Sequence, residues 1–380
     1  MRGIFLLIAI GALLIIGVVF TFINQSKKIN PSTSQQSINQ TEQKPTTSQN
    51  NSPIIEVIAT GLDTPWAIAF LPDKGMLVTE RPGRVRLIDS RDKLQEQPVA
   101  TLNQVKEIGE GGLMGIALHP DFSENNSIYI YYTYSGSGND TLNRVSRFTY
   151  KDNRLSSEQI IVDKIPGATN HNGGRIKFGP DKFLYITTGD AQQPSLAQNK
   201  NSLAGKILRV TDEGRAAPGN PFNNLIYSYG HRNPQGIAWD SKNQLWETEH
   251  GPSGLETGND EVNKIEAGKN YGWPEIRGVE TKPGMEFPVA DSGKSITWAP
   301  AGAAIIDRKL YFGGLRGQAL YALSLEGDAL FENFKNEFGR IREVILGPDR
   351  MLYITTSNND GRGIPDNEDD RIIKIDPSSL

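Results

Sequence analysis

The sequence predicts an all-β protein, specifically a six-bladed β-propeller, and three observations carry that expectation. One phrase, an apolar strand, a Pro-Asp or Asp turn and a second strand rich in Leu, Tyr and Ile, is written six times. The copies are IAFLPDKGMLVTE from Ile68, IALHPDFSENNSIYIYYT from Ile116, IKFGPDKFLYITTGD from Ile176, IAWDSKNQLWETEH from Ile237, AIIDRKLYFGG from Ala304 and VILGPDRMLYITTSN from Val344. They lie about 40 to 70 residues apart with no helical periodicity between them, the spacing of propeller blades or solenoid turns. Each unit is too small to bury its own apolar face, so six must stack about a common axis.

Taken in order, the chain begins with an apolar, uncharged run from Ile4 to Ile23, long enough to cross a bilayer. FTFINQSKK, which follows, offers no small-residue cleavage pattern, so residues 1–28 read as a signal anchor in preference to a cleaved signal peptide. Residues 29–52, rich in Ser, Gln, Asn and Thr, read as a flexible polar linker. Residues 53–380 hold the propeller, and the leader predicts an extracytoplasmic location for it, membrane-anchored or secreted. The first unit divides into four strands, WAIAFLP, GMLVTE, RVRLID and PVATL, whereas the last ends after three. Ile54–Ile58 is a spare strand of the right length. It is expected to complete the last blade and so remove the open edge of the ring.

Composition narrows the chemistry. There is no Cys, which excludes thiol nucleophiles, disulfides, Fe–S clusters and a lipid anchor on an N-terminal Cys. A net charge of −4 without a basic stripe excludes the nucleic-acid-binding classes. Function must sit in the irregular polar segments between strands, and four of these stand out.

In YSYGHRNPQGIAWD, Arg232, Asn233 and Gln235 surround Pro234 just before an inner strand. They form either a surface turn whose amides cap backbone or a cation and two amides aimed at one ligand. His231 reads as structural. In ATNHNGGRIKFGPD, His171 precedes two glycines that permit close backbone approach to a ligand, and imidazole takes protons near neutral pH. Asp190 ends the following strand, and the start of one hairpin strand meets the end of its partner. His171 is then either a satisfied strand-entry histidine or a base oriented by Asp190. Residues 248–276 set Glu249, Glu256, Asp260 and Glu261 among Gly and Pro turns. This is either a solvated acidic loop or an oxygen-rich site suited to Ca²⁺. Arg316, Arg340 and Arg342 complete the set. Arg340 and Arg342 are two apart and should share one strand face, as a rim pair or as a fork for carboxylates.

GEGGLMGIALHPDF, NHNGGRIKFGPD, YGHRNPQG, EHGP with NDEVN, and NYGWP together resemble the soluble quinoprotein sugar dehydrogenases, in the same order, from about residue 55 to the C-terminus. These are six-bladed propellers that use pyrroloquinoline quinone (PQQ) and Ca²⁺, and the YGHRNPQG wording resembles their bacterial aldose sugar dehydrogenase branch. The resemblance implies His171 as general base with Asp190 as its acidic companion, and Arg232 and Asn233 around the reactive carbonyl of the quinone. It implies Gly251 and Pro252 as backbone ligands of the activating Ca²⁺, and Glu261 with the Tyr271 backbone as a second, structural Ca²⁺ site. Arg340 and Arg342 match cations that hold the cofactor carboxylates, and Trp298 matches an aromatic flanking the ring. Two positions depart from the glucose enzyme: Arg316 replaces a Lys, and Glu110 replaces a Gln that contacts the cofactor. The implied reaction oxidises an aldose at its anomeric carbon to a lactone by hydride transfer, with an external electron acceptor. A Ca²⁺-dependent lactonase and a non-catalytic binding propeller are the alternatives, and the sequence holds no signal for an oligomeric state.

Overall fold

A computed structural model describes residues 55–380, apart from Asn139, Leu255, Glu256 and Asp328. The expected leader, the linker, Ile54 and Glu256 lie outside the described residues. Among the described residues no helix is long and apolar enough to cross a membrane.

Six four-stranded antiparallel sheets account for the architecture. Their innermost strands are Pro65–Phe70, Leu113–Leu118, Ile176–Phe178, Pro234–Trp239, Pro300–Ile306 and Ile341–Leu346, each inside one of the repeated phrases or just ahead of it. The turn in each phrase leads to the second strand: Met76–Glu80, Ser127–Ser135, Leu184–Thr188, Leu245–Glu249, Lys309–Gly314 and Leu352–Thr356. The last sheet has Ile372–Ile375 as its third strand, and Ile55–Ala59 pairs with it as the fourth. The first strand of the ring thus closes the last blade, as the missing fourth strand predicted, one residue further along than expected.

The second strands are buried almost throughout because both faces meet neighbouring blades. Between the fifth and sixth blades, Tyr311, Ile341, Val344, Ile354 and Ile373 form one apolar cluster. Truncating a fully buried member such as Ile354 to Ala should cost about 2–5 kcal/mol.

A threonine near the end of the second strand rivets the ring. The Thr79 hydroxyl donates to the Met114 carbonyl of the next blade, Thr248 to Ala301, and Thr355 to Pro65 across the closure. Thr79, Thr187 and Thr355 also accept an inner-strand amide, from Ala67, Arg175 and Glu343. These three amides and the Thr248 contact mark the same place in four of the six blades, at the entry to the inner strand. Five inner strands slip register within their first residues, at Pro65/Ala67, Leu113/Ile116, Pro234/Gly236, Pro300/Ala303 and Ile341/Glu343. Such bulges re-aim side chains, and here all five sit at one mouth of the axial channel. That mouth holds the candidate site.

Candidate active site

Two kinds of segment meet at this mouth: those entering an inner strand and those leaving a second strand. The first kind brings Glu110, His171, Arg232, Ala299 and Arg340. The second brings Asp190, Gly251, Pro252, Arg316 and Arg362. Most of them line one cavity of about 420 Å³, with Asp190 standing behind His171.

His171 Nδ1 lies 2.8 Å from Asp190 Oδ1. Asp190 is fully buried and is itself held by the Gln192 amide at 2.8 Å and the Trp273 indole N–H, also at 2.8 Å. This fixes Nδ1–H toward Asp190 and leaves Nε2 facing the cavity, the arrangement of an oriented base. His171 has φ +62°, and its amide donates to Glu110 Oε2 at 3.1 Å.

Arg232 is buried against Trp273, its guanidinium 5.3 Å from the ring centroid, and donates to the His250 carbonyl at 3.3 Å. Its amide is held by Glu249 Oε1 at 2.6 Å. Burial lowers the Arg232 pKa against the pull of Asp190, Glu110 and Glu249, and an arginine remains charged regardless. His231 lies beneath. It is fully buried, bonded on one nitrogen to Glu249 at 2.9 Å and on the other to Ser228 at 2.8 Å, and stacked on Tyr271. That is a scaffold role.

Three buried side-chain nitrogens at this end have no partner among the described residues: Asn233 Nδ2 and Arg342 Nε, both donors, and His250 Nε2. Asn233 Oδ1 meanwhile accepts the Gly173 amide at 3.0 Å. Buried polar atoms are rarely left unpaired, so this cluster is built for a ligand. Burial holds the His250 imidazole neutral, its pKa brought down to about 3. The sequence marks His250 and Trp273 only as parts of EHGP and NYGWP, with no role of their own.

The arginines separate. Arg340 stands at the rim with Nε and Nη2 on Asp360 Oδ2, at 3.1 and 2.8 Å, and Nη1 on the Leu315 carbonyl at 3.0 Å. Arg342 lies deeper and donates to the Gln235 side-chain oxygen. The expected two-residue fork is therefore split, because the slip between Ile341 and Glu343 breaks the period of two. Arg316 is exposed on the cavity wall beside Thr257. Trp298 is not among the residues lining the cavity. Its ring packs in the core of the fifth blade, 5.5 Å from Phe312 and 5.6 Å from Tyr321, and Thr297 and Ala299 line the cavity in its place.

Glu110 does not stand as a bare anion. Arg362 Nη1 donates to its Oε1 at 2.8 Å, and Nη2 reaches Asn170 at 2.9 Å. Burial pushes the Glu110 pKa up, but His250, Arg362 and the His171 amide outweigh burial and bring it to about 2. Arg362 was invisible in the sequence, 252 positions from its partner.

For a cation, Gly251 and Pro252 lie on the cavity wall, and among the described residues neither carbonyl oxygen accepts a hydrogen bond. A Cβ at Gly251 would fall 2.2 Å from the carbonyl oxygens of Gly258 and Asn259, so only glycine fits there. Asp260 organises the loop, accepting the amides of Gly251 at 2.8 Å, Trp298 at 2.6 Å and Ala299 at 2.9 Å. Behind it, Glu261 and Tyr271 border a cavity of about 10 Å³ together with Glu249. Burial, reinforced by mutual repulsion, raises the carboxyls of Glu247, Glu249 and Glu261, the last two to about 8. Among the described residues Glu247 Oε1 has no partner. A one-atom cavity beside crowded carboxylates and free carbonyl oxygens fits a hard divalent cation.

A six-bladed ring with one cationic mouth, an oriented histidine and unpaired buried polar atoms has the design of a propeller that binds an anionic ligand or cofactor beside a base. A profile of the Glucose / Sorbosone dehydrogenase family matches residues 62–365, and the chain belongs to that family. An aldose sugar dehydrogenase of Escherichia coli is 33% identical over 81% of this chain and 91% of its own length. An uncharacterized protein of Synechocystis is 34% identical over 85% and 90%. The PQQ-bound aldose sugar dehydrogenase of Streptomyces coelicolor superposes with a TM-score of 0.78 at 38% identity, covering 86% of this chain and 98% of that one. Relatives with named activities are thus sugar dehydrogenases.

Proposed function

We propose that this protein oxidises aldose sugars at the anomeric carbon to lactones, with PQQ and Ca²⁺ as its cofactors. The observation that carries the reading is the oriented His171–Asp190 pair, which faces a cavity lined by Arg232, Arg316 and Arg340 and backed by unpaired buried donors. The three arginines, with Asn233 and Arg342 beneath, would hold a polyanionic quinone, and the Gly251 and Pro252 carbonyls a Ca²⁺ ion beside it. Glu261 and the Tyr271 backbone would hold a second, structural ion. When bound, the quinone supplies the two-electron sink, and the ion acts as its Lewis acid.

The chain's own part is positional and acid–base. Nε2 of His171 takes the proton of the anomeric hydroxyl, and buried Asp190 stabilises the imidazolium that results. Arg232, shielded from water and braced on Trp273, places positive charge where negative charge develops. Oxidation removes a hydride and a proton from the sugar, and an external electron acceptor then restores the cofactor. The apolar leader supports an extracytoplasmic site of action, with N-terminal membrane attachment.

Dye-linked turnover of a panel of aldoses by full-length protein, with and without added PQQ and Ca²⁺, tests the reading. Activity that requires both supports it. Hydrolysis of lactones with no sugar oxidation would replace it.

A further inference from the structure

All six inner strands run outward from the catalytic mouth, so their last residues gather at the opposite end of the axial channel. There Phe70, Leu118, Phe178, Trp239 and Ile345 each leave part of an apolar side chain uncovered around a cavity of about 290 Å³. Of the described residues that line this cavity, only Arg175, Lys177 and Glu343 are charged.

Arg175 and Glu343 neutralise each other. They form an ion pair buried on both sides, with Arg175 also donating to the Gln235 carbonyl at 2.9 Å and stacked 4.3 Å from Trp66. Lys177 is left over. Its ammonium has three donors, and two go to the carbonyls of Ile237 and Ala303, each at 3.0 Å. No carboxylate lies within ion-pair distance of it among the described residues. Burial lowers its pKa to about 8, which leaves it protonated at neutral pH. The cavity therefore carries one uncompensated positive charge and the spare Lys177 donor inside an apolar collar, with the Nη2 of Arg175 also unpartnered among the described residues.

We propose that this far mouth binds a small amphipathic monoanion, a carboxylate on a short apolar tail, with the carboxylate on Lys177 and the tail against Phe70, Phe178 and Trp239. One negative charge balances the site, and a charge-assisted bond takes the spare donor. The apolar collar selects a tail over a bare inorganic ion. The site lies at the opposite end of the channel from His171 and does not depend on the sugar chemistry proposed above.

Isothermal titration of the full chain with hexanoate, hexylammonium and chloride tests the proposal. Hexanoate should bind saturably at one site and hexylammonium should not, while chloride should compete only weakly. Lys177→Met should weaken hexanoate by about tenfold or more, and Lys177→Arg should retain it. Arg316→Ala, at the catalytic mouth, should leave it unchanged. Should Lys177→Met fail to fold, tryptophan fluorescence gives a second readout: hexanoate should perturb the emission of the intact protein but not that of Trp239→Phe. Absence of saturable hexanoate binding, equal binding of hexylammonium, chloride binding without hexanoate, or loss of the hexanoate site in Arg316→Ala would each overturn the proposal.

Discussion

Arg362→Ala should weaken quinone binding although Arg362 belongs to none of the recognisable motifs. In the intact protein its guanidinium spans two loops, donating to Glu110 at 2.8 Å and to Asn170 at 2.9 Å, while the other Glu110 oxygen holds the His171 amide. Arg362 is among the groups that hold the Glu110 pKa near 2, so its removal raises that pKa. The fraction of Glu110 still ionised stands as a bare carboxylate on the wall of a site proposed to hold a polyanion. Arg362 is 48% exposed, so the pair itself contributes at the scale of surface ion pairs, up to about 1 kcal/mol. Screened repulsion from the uncovered anion adds roughly 1 kcal/mol more. Only the repulsion bears on affinity, and about 1 kcal/mol corresponds to a Kd about fivefold higher. A fluorescence titration of quinone into Arg362→Ala, Glu110→Gln and the double variant measures it as a cycle. Adding Glu110→Gln to Arg362→Ala should recover most of the loss, because it removes the anion that Arg362 compensates. A double variant as weak as Arg362→Ala would refute charge compensation.

His171→Ala should lower kcat by about 10²- to 10⁴-fold with little change in quinone affinity, and a rate above half of the intact protein's would remove His171 from the mechanism. In metal-free protein, Glu249 and Glu261 keep their protons to about pH 8, whereas in the unfolded chain they release them near pH 4.3. Their contribution to stability is complete below the unfolded value and lost as pH rises toward 8, so the metal-free Tm should fall across that window and added Ca²⁺ should reverse the fall. A pH-independent difference between metal-free and Ca²⁺-loaded protein would place the ion elsewhere. Because Arg340 is tied to Asp360, Arg340→Ala should lower Tm as well as quinone affinity, and a Tm unchanged or raised would show that ion pair to be dispensable.

The blades were legible because each strand pair repeats a period-two apolar pattern around a turn, and the missing fourth strand pointed to Ile54–Ile58, one residue short of the observed closure at Ile55–Ala59. His171 and Asp190 could be paired from the sequence since they sit at one edge of one hairpin. What escaped were side chains whose direction depends on backbone irregularity. Arg340 and Arg342 diverge because the strand slips between them. Trp298 turns into the core where Ala299, at φ +47°, bends the entry to its strand. Arg362 reaches Glu110 from a loop without periodicity, so nothing local in its sequence announces the contact.

The central claim is tested most directly by one absorption experiment. Metal-free full-length protein is loaded with one equivalent of PQQ and with Ca²⁺, then mixed with an aldose without an electron acceptor. The account predicts that the bound quinone spectrum converts stoichiometrically to that of the reduced form within the mixing time of a stopped-flow instrument or shortly after, and far more slowly in His171→Ala. A protein that fails to bind the quinone, or binds it and leaves it oxidised with every aldose offered, would contradict the account.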